Sequence, residues 1–168
     1  MVDMAGATAR VTLRKMTETE YDQATRHREA EGARELSKFM PEAEAWERSR
    51  RGTAHFLPQG RDTAGHHLLV AENESGEVVG HAWVGPDPQD VTGTADSAWL
   101  YDINVREHSR RQGYGTAILT ALETLLATEG RTRLGLNVVG DNTAAIALYR
   151  RTGYHVSSMH MDKPLHSN

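Results

Sequence analysis

The stretch HSRRQGYGTAIL, residues 108–119, decides how the chain is read. Two arginines are followed by Gly-x-Gly and then by an apolar run. A Walker A loop ends in Gly-Lys-Ser/Thr, and Gly113-Tyr114-Gly115-Thr116 has no lysine. A dinucleotide fingerprint needs a third glycine three residues after the second, and position 118 is Ile. What remains is Arg-x-x-Gly-x-Gly, carried by Arg110, Gly113 and Gly115. A helix N-terminus leaves about four N–H groups unpaired and carries partial positive charge. Glycines let the backbone curl close to an anion, and Arg110 and Arg111 add charge at the rim. Such a turn can hold a pyrophosphate. Taken alone, it reads equally well as a bend whose arginines are solvated.

The segments on either side supply the elements. SAWLYDINV (97–105) is apolar enough for a central strand. In YGTAILTALETLLATEG (114–130), Ile118, Leu122, Leu125 and Leu126 fall at helical spacing and Gly130 stops the helix. TRLGLNVV (132–139) reads as a strand. DNTAAIALYRRTG (141–153) reads as a short helix, capped by Asp141 or Asn142 and ended by Gly153. YHVSSMHMDK (154–163) reads as a closing strand. Upstream, VTLRKM (11–16) alternates as a strand does. Thr17 and Glu20 have capping-box spacing, so a helix starts near Glu18. It is expected to run to about Met40, with a break at Gly32. Pro41 suits the first turn of a second helix, PEAEAWERSRRG (41–52). TAHFLPQGRDTAGHH (53–67) mixes Pro, Gly and polar residues as a loop does. HLLVAEN (67–73) and EVVGHAWVG (77–85) make a hairpin about a tight turn, and PDPQDVTGTAD (86–96) is a second loop. The order is β-α-α-β-β-β-α-β-α-β, an α/β sandwich of mixed strand direction.

Composition narrows the classes. The 168 residues suit one domain, with 38% hydrophobic and 25% charged residues. No apolar run reaches the roughly 18 residues of a membrane span, and the N-terminus lacks a signal peptide's apolar segment. Cysteine is absent, so disulfides and thiol nucleophiles are excluded, which agrees with a cytoplasmic location. The net charge of −4 argues against a nucleic-acid binder. Arginines cluster at 48–51 and 110–111, but acids surround them. His66 and His67 invite a metal reading, but adjacent strand residues point to opposite faces, and no metal is expected.

Asn142 and Tyr149 lie seven residues apart on one helix, so they share a face roughly 10 Å apart along the axis. They could hold an extended ligand at one end and act on it at the other. As isolated features they also fit an N-cap and a core tyrosine. Together, INVREHSRRQGYGTAILTALE (103–123) and LGLNVVGDNTAAIALYRRTGYHV (134–156) resemble the GCN5-related N-acetyltransferase (GNAT) family. The first block resembles the family's acetyl-CoA motif. The second resembles its strand, Asn-bearing helix, Leu-Tyr and Gly-Tyr signature. The resemblance is strongest over about residues 66–163.

That resemblance implies a single-domain fold with a mixed sheet of six or seven strands and about four helices, over residues 10–168 behind a loose tail, 1–9. It implies acetyl-CoA as the acetyl donor. Backbone groups of Ile103, Asn104 and Val105 would pair with the pantetheine arm. The loop of Arg110, Arg111, Gln112, Gly113, Tyr114, Gly115 and Thr116 would hold the pyrophosphate, and Asn142 would contact the arm. Transfer would be direct, through a tetrahedral intermediate whose oxyanion meets a backbone N–H of 103–105. Tyr149 would protonate the leaving thiolate, since an unperturbed tyrosine has a pKa of ~10 and is protonated at neutral pH. Asp102, a carboxylate on an apolar strand, is the candidate base or amine anchor. His81 is the other candidate, and the plain alternative is that Asp102 pairs with an arginine or caps a neighbouring loop. Glu107 is expected to shape the loop.

The acceptor side falls on residues 20–65, where His55, Phe56, Gln59 and Asp62 are candidate contacts. Trp46, Trp83 and Trp99 suit a pocket, a core or an interface. The first expectation is an N-acetyltransferase acting on the primary amine of a small molecule. The alternatives are a peptide or protein N-acetyltransferase, a longer-chain acyltransferase, and a non-catalytic acyl-CoA sensor. A sheet with open edges also leaves room for a homodimer.

Overall fold

A computed structural model describes residues 8–165. Most of the expected N-terminal tail lies outside the described residues. The chain divides into two compact units, one up to Asn137 and one from Val138 onward.

The first unit is built on a five-stranded sheet in the order β1-β2-β3-β4-β5. Its strands are β1 (Thr12–Lys15), β2 (His67–Glu72), β3 (Val78–Pro86), β4 (Ser97–Val105) and β5 (Arg133–Leu136). The first four pair antiparallel, and β5 joins β4 in parallel. A parallel neighbour needs a crossover, and helix α3 (Tyr114–Thr128) makes it. Helices α1 (Glu18–Leu36) and α2 (Glu42–Phe56) fill the connection between β1 and β2.

Strand alternation sorts the core into two layers. Leu68 stands opposite Trp83, and Val70 opposite His81. This face packs under α1 and α2, where Met16, Ala24, Leu57, Leu68, Val70 and Trp83 form one cluster. The other face carries Gly80, Ala82 and Val84, next to Ile118 of α3. Ile118, Leu119, Leu122 and Leu126 of α3 are buried. The spacing anticipated that stripe, with Leu119 in place of Leu125.

The ladder between β3 and β4 slips once. Trp83 faces Asp102 while Val84 faces Leu100, so Tyr101 is an extra residue on β4. A bulge of this kind re-aims the side chains around it. Here the Tyr101 ring stacks on Trp83 at 4.4 Å and 13°.

The capping box at Thr17 and Glu20 forms in both directions. Helix α1 runs unbroken through Gly32 and ends at Leu36, short of Met40. Gly32 serves helix contact instead. A Cβ there would lie 2.6 Å from Ser49 Oγ on α2, which donates to the Glu29 carbonyl at 2.9 Å. Pro41 is the N-cap of α2, not its first-turn residue. The expected loop 53–67 is shorter than the letters suggest, because α2 continues to Phe56 and a 3-10 turn covers Gly60–Asp62.

The second unit contains α4 (Thr143–Arg151), with Asn142 as N-cap. The closing strand expected over 154–163 does not form among the described residues, and β5 stops at Leu136 rather than 139. The sheet therefore has five strands, not six or seven. Val156, Met159 and Met161 are exposed.

Candidate active site

The glycine-rich turn forms as a helix entrance. Gly113 is the N-cap of α3 in the left-handed region, at φ 84°, and Arg111 is also left-handed, at φ 58°. A non-glycine residue there is uncommon and marks a constrained loop. Ala117 N–H makes the first helical bond, to Gly113 O. The backbone N–H groups from Arg111 to Thr116 have no acceptor among the described residues. Consecutive free amides at a helix start form an anion cradle. The Arg110 side chain braces the loop, with Nε donating to Val105 O at 3.0 Å. Glu107 accepts from Arg110 N–H through its backbone carbonyl, and Gln112 Nε2 donates to His108 O. Glu107 thus shapes the loop by its backbone.

The edge of β4 next to this loop is open. Pairing with β5 ends at Leu100–Leu136, while β4 continues to Val105. Tyr101 to Val105 therefore have no strand partner on the β5 side. Arg106 N–H bonds Val79 O of β3, so by alternation the backbone of Asn104 also faces β3, while the backbone groups of Ile103 and Val105 face the open side, with Arg110 Nε on the Val105 carbonyl. An open strand edge running into six free amides fits an elongated molecule with an amide-bearing arm and a diphosphate. Coenzyme A has both.

On the helical face of the same strand lies a polar cluster in an otherwise apolar layer. Asp102 Oδ2 is 3.2 Å from His81 Nε2. Their side chains are 20% and 15% exposed. Arg28 of α1 approaches Asp102 Oδ2 to 3.9 Å. Burial holds the Arg28 guanidinium below its ordinary value, partly offset by Asp102. Asn104 Nδ2 faces His27 Nε2 at 3.3 Å, and the His27 and His81 rings meet edge-on at 6.4 Å. A cleft of about 180 Å³ opens beside this group, lined in part by His27, His81 and Asn104. The sequence singled out Asp102 and His81 separately, and the structure brings them together.

Other candidates lie apart from this cluster, except Trp83, whose ring carries the Arg28 guanidinium at 4.7 Å. Phe56 packs against Tyr101, with ring centroids 5.1 Å apart. Asp62 pairs with Lys15 at 2.5 Å in an exposed bridge. His55 and Gln59 are exposed. Trp83 is core, with Nε1 donating to His66 Nδ1 at 2.9 Å. Burial keeps His66 below the usual imidazole value, and His67 adds to that. His67 itself turns to Glu129, at 2.9 Å. Trp99 packs over Gly135, and Trp46 carries the Arg50 guanidinium at 5.2 Å.

In the second unit, Asn142 Oδ1 accepts from Ala145 N–H at 3.2 Å. That bond caps α4 and leaves the oxygen a second lone pair as well as the amide nitrogen. Tyr149 is buried, with its ring 5.6 Å from that of Tyr154.

Residues 27–154 match the family model described as "Acetyltransferase (GNAT) family". The chain belongs to the GNAT acetyltransferases. Enzymes of this family use acetyl-CoA. The chain is 30% identical to the uncharacterized N-acetyltransferase YdgE of Bacillus subtilis, over 92% of this chain and 98% of that one. It is 30% identical to the L-methionine sulfoximine/L-methionine sulfone acetyltransferase of Pseudomonas aeruginosa, over 58% of this chain and 55% of that one. The crystal structure of the putative acetyltransferase YycN from Bacillus subtilis superposes with a TM-score of 0.84. It is 28% identical and covers 94% of this chain and 99% of that one. No helix among the described residues of this GNAT enzyme is long and apolar enough to cross a membrane.

Sequence reasoning missed Arg28 and His27. A signal for both was present. Arg28 falls seven residues after Tyr21 and four after Ala24, and His27 three after Ala24. Those spacings put a cation and an imidazole on the apolar stripe of α1.

Proposed function

We propose that this acetyltransferase moves the acetyl group of acetyl-CoA to the primary amine of a small molecule. One observation carries the reading. The same strand, β4, offers an open backbone edge beside the anion cradle and a half-buried carboxylate–imidazole pair on its helical face. The Pseudomonas relative acts on L-methionine sulfoximine and L-methionine sulfone, which supports a small acceptor.

In this reading the loop amides of 111–116 hold the diphosphate, and the outward backbone groups of Ile103 and Val105 align the arm. An alkylammonium must lose a proton before it can attack. Asp102 attracts the ammonium, and the Asp102–His81 pair takes that proton. A backbone N–H of the 103–105 segment stabilises the oxyanion. The new N–C bond forms as the C–S bond breaks. Tyr149 is assigned the proton for the departing thiolate on its match to the family signature.

The test is a calorimetric titration with acetyl-CoA and with acetyl-pantetheine, followed by a thiol-release screen over small amines. Binding of acetyl-CoA but not of the truncated thioester, with thiol released to some amine, is the expected result. Binding without release to any amine would favour an acyl-CoA sensor instead. Equal binding of the two thioesters would remove the cradle's role.

A further inference from the structure

Arg28 makes poor use of its donors for a cation so little exposed. Its side chain is 16% exposed, and its Nε is buried without a hydrogen-bond partner. The guanidinium carbon sits 4.7 Å from the centroid of Trp83. One terminal nitrogen donates to Thr25 Oγ1 at 3.2 Å. The other stops 3.9 Å from Asp102, too far for a hydrogen bond. Arg14 shows the closed form of such a pair, whereas Arg51 and Arg61 stop 3.7 and 3.9 Å from Glu47 and Asp62. Arg14 grips both oxygens of Glu20 at 2.8 and 2.9 Å. Arg28 leaves such a fork open, and the nearest Asp102 oxygen is already engaged by His81. A desolvated guanidinium with unspent donors is costly unless an anion completes it.

The charges around Arg28 describe that anion. Arg28 and Asp102 set a cation and an anion about 4 Å apart, close to the scale on which an α-amino acid carries its carboxylate and its ammonium. We propose that Arg28 anchors a carboxylate on the acceptor, so that the acceptor is an amino acid or a close analogue. This rests on the acetyl-transfer reading of the same site. The fork of Arg28 takes the carboxylate, as planar guanidinium geometry favours. The adjacent amine then faces Asp102 and His81. Its proton goes to that pair, its nitrogen bonds to the acetyl carbon, and the thiolate leaves with a proton from the assigned acid. The substituent enters the cleft of about 180 Å³, whose walls set Met16, Val70 and Val78 beside Glu20, Gln23 and Arg106.

The test compares twenty L-amino acids with their carboxamides as acceptors, read by thiol release at fixed acetyl-CoA. Carboxamides keep the amine and lose the anion. The expected result is at least one amino acid with kcat/KM about 100-fold above that of its carboxamide. In Arg28→Gln the ratio should fall to near unity, and Arg28→Lys, a cation without a fork, should restore only part of it. Carboxamides turned over as well as their parent acids by the wild-type enzyme would overturn the proposal. So would an Arg28→Gln enzyme that loses both acceptors equally, since Arg28 would then act only through Asp102. If Arg28→Gln fails to fold, the wild-type ratio decides. If no amino acid releases thiol while another small amine does, the proposal is overturned; if no amine of the wider screen releases thiol, the acetyl-transfer reading has failed. Calorimetry of amino acid against carboxamide with coenzyme A bound then judges Arg28 separately, and absence of discrimination there would also overturn the proposal.

Discussion

At the residue scale, the chemistry turns on what a charged group does on an apolar strand. Asp102 was legible in the sequence for that reason, because a carboxylate among Trp99, Leu100 and Ile103 needs a partner or a task. The structure gives it two partners, His81 at 3.2 Å and Arg28 at 3.9 Å. The arginine neighbour that the sequence allowed is present as Arg28, and the imidazole beside it is His81. Asp102→Asn keeps the shape and removes the charge. In steady-state kinetics at pH 7 it should lower kcat about 100-fold or more, the usual worth of a positioned proton acceptor. The KM for acetyl-CoA should change little, because β4 keeps its backbone edge. Raising the pH should recover part of the rate as more of the amine is neutral. Tyr149→Phe tests the acid. It retains the ring that lies 5.6 Å from Tyr154 and deletes only the hydroxyl. The expected outcome is a comparable loss of kcat with unchanged acetyl-CoA affinity. Full turnover, measured where chemistry is rate-limiting, would free Tyr149 from that role.

At the element scale, helices and the central hairpin were legible because their signals are local. A capping box, a 3.6-residue apolar period and a tight turn between two β-branched runs are each written within about 20 residues. The bulge at Tyr101 was not, since it depends on how β4 meets β3 rather than on β4 alone. Gly32 was misread for a similar reason. A glycine inside a helix looks like a break until the partner helix appears, and here Ser49 occupies the space a side chain would take. The loop before α3 combines both kinds of information. Its glycines announce the turn, but the brace from Arg110 to Val105 O links the turn to the end of β4. Arg110 therefore acts less as a mobile rim charge than as the strut that keeps strand edge and cradle in register. Arg110→Ala should weaken acetyl-CoA binding about tenfold, the worth of roughly 1.4 kcal/mol of lost charge and positioning. Calorimetry with acetyl-pantetheine as well should show a smaller loss for the truncated ligand, because only the arm's edge is then disturbed. An unchanged dissociation constant for acetyl-CoA would leave the cradle without its brace.

At the scale of the whole molecule, the α/β class and the family were legible, while the strand count was not. Residues 154–163 have strand-like letters, but His155 to Leu165 form no ladder with any described strand. Alternation licenses a strand only where a neighbour is there to pair with it. The start of α1, by contrast, ties sequence signal to tertiary charge, and this gives the molecule a testable response to acid. Glu20 closes the capping box on Thr17 and also takes the fork of Arg14, which reaches Glu72 of β2 as well. Arg14 chiefly, with Thr17, holds the Glu20 carboxyl down at about 2, against 4.5 when unpaired. A depressed carboxylate contributes its stability above the unfolded value and loses it as pH falls through the folded one. The bridge should therefore act fully near neutrality and fade from about pH 4.5 to about pH 2. Glu20→Gln separates charge from cap, because glutamine also completes a capping box. Denaturant unfolding at pH 7 should find Glu20→Gln less stable by about 1 kcal/mol, a modest figure because both side chains are partly solvated. Repeated at pH 2.5, the two curves should draw together as the wild-type carboxyl takes up its proton. A gap that stays constant across that range would mean the stabilisation comes from the cap alone, and that Arg14 gains nothing from the charge it faces.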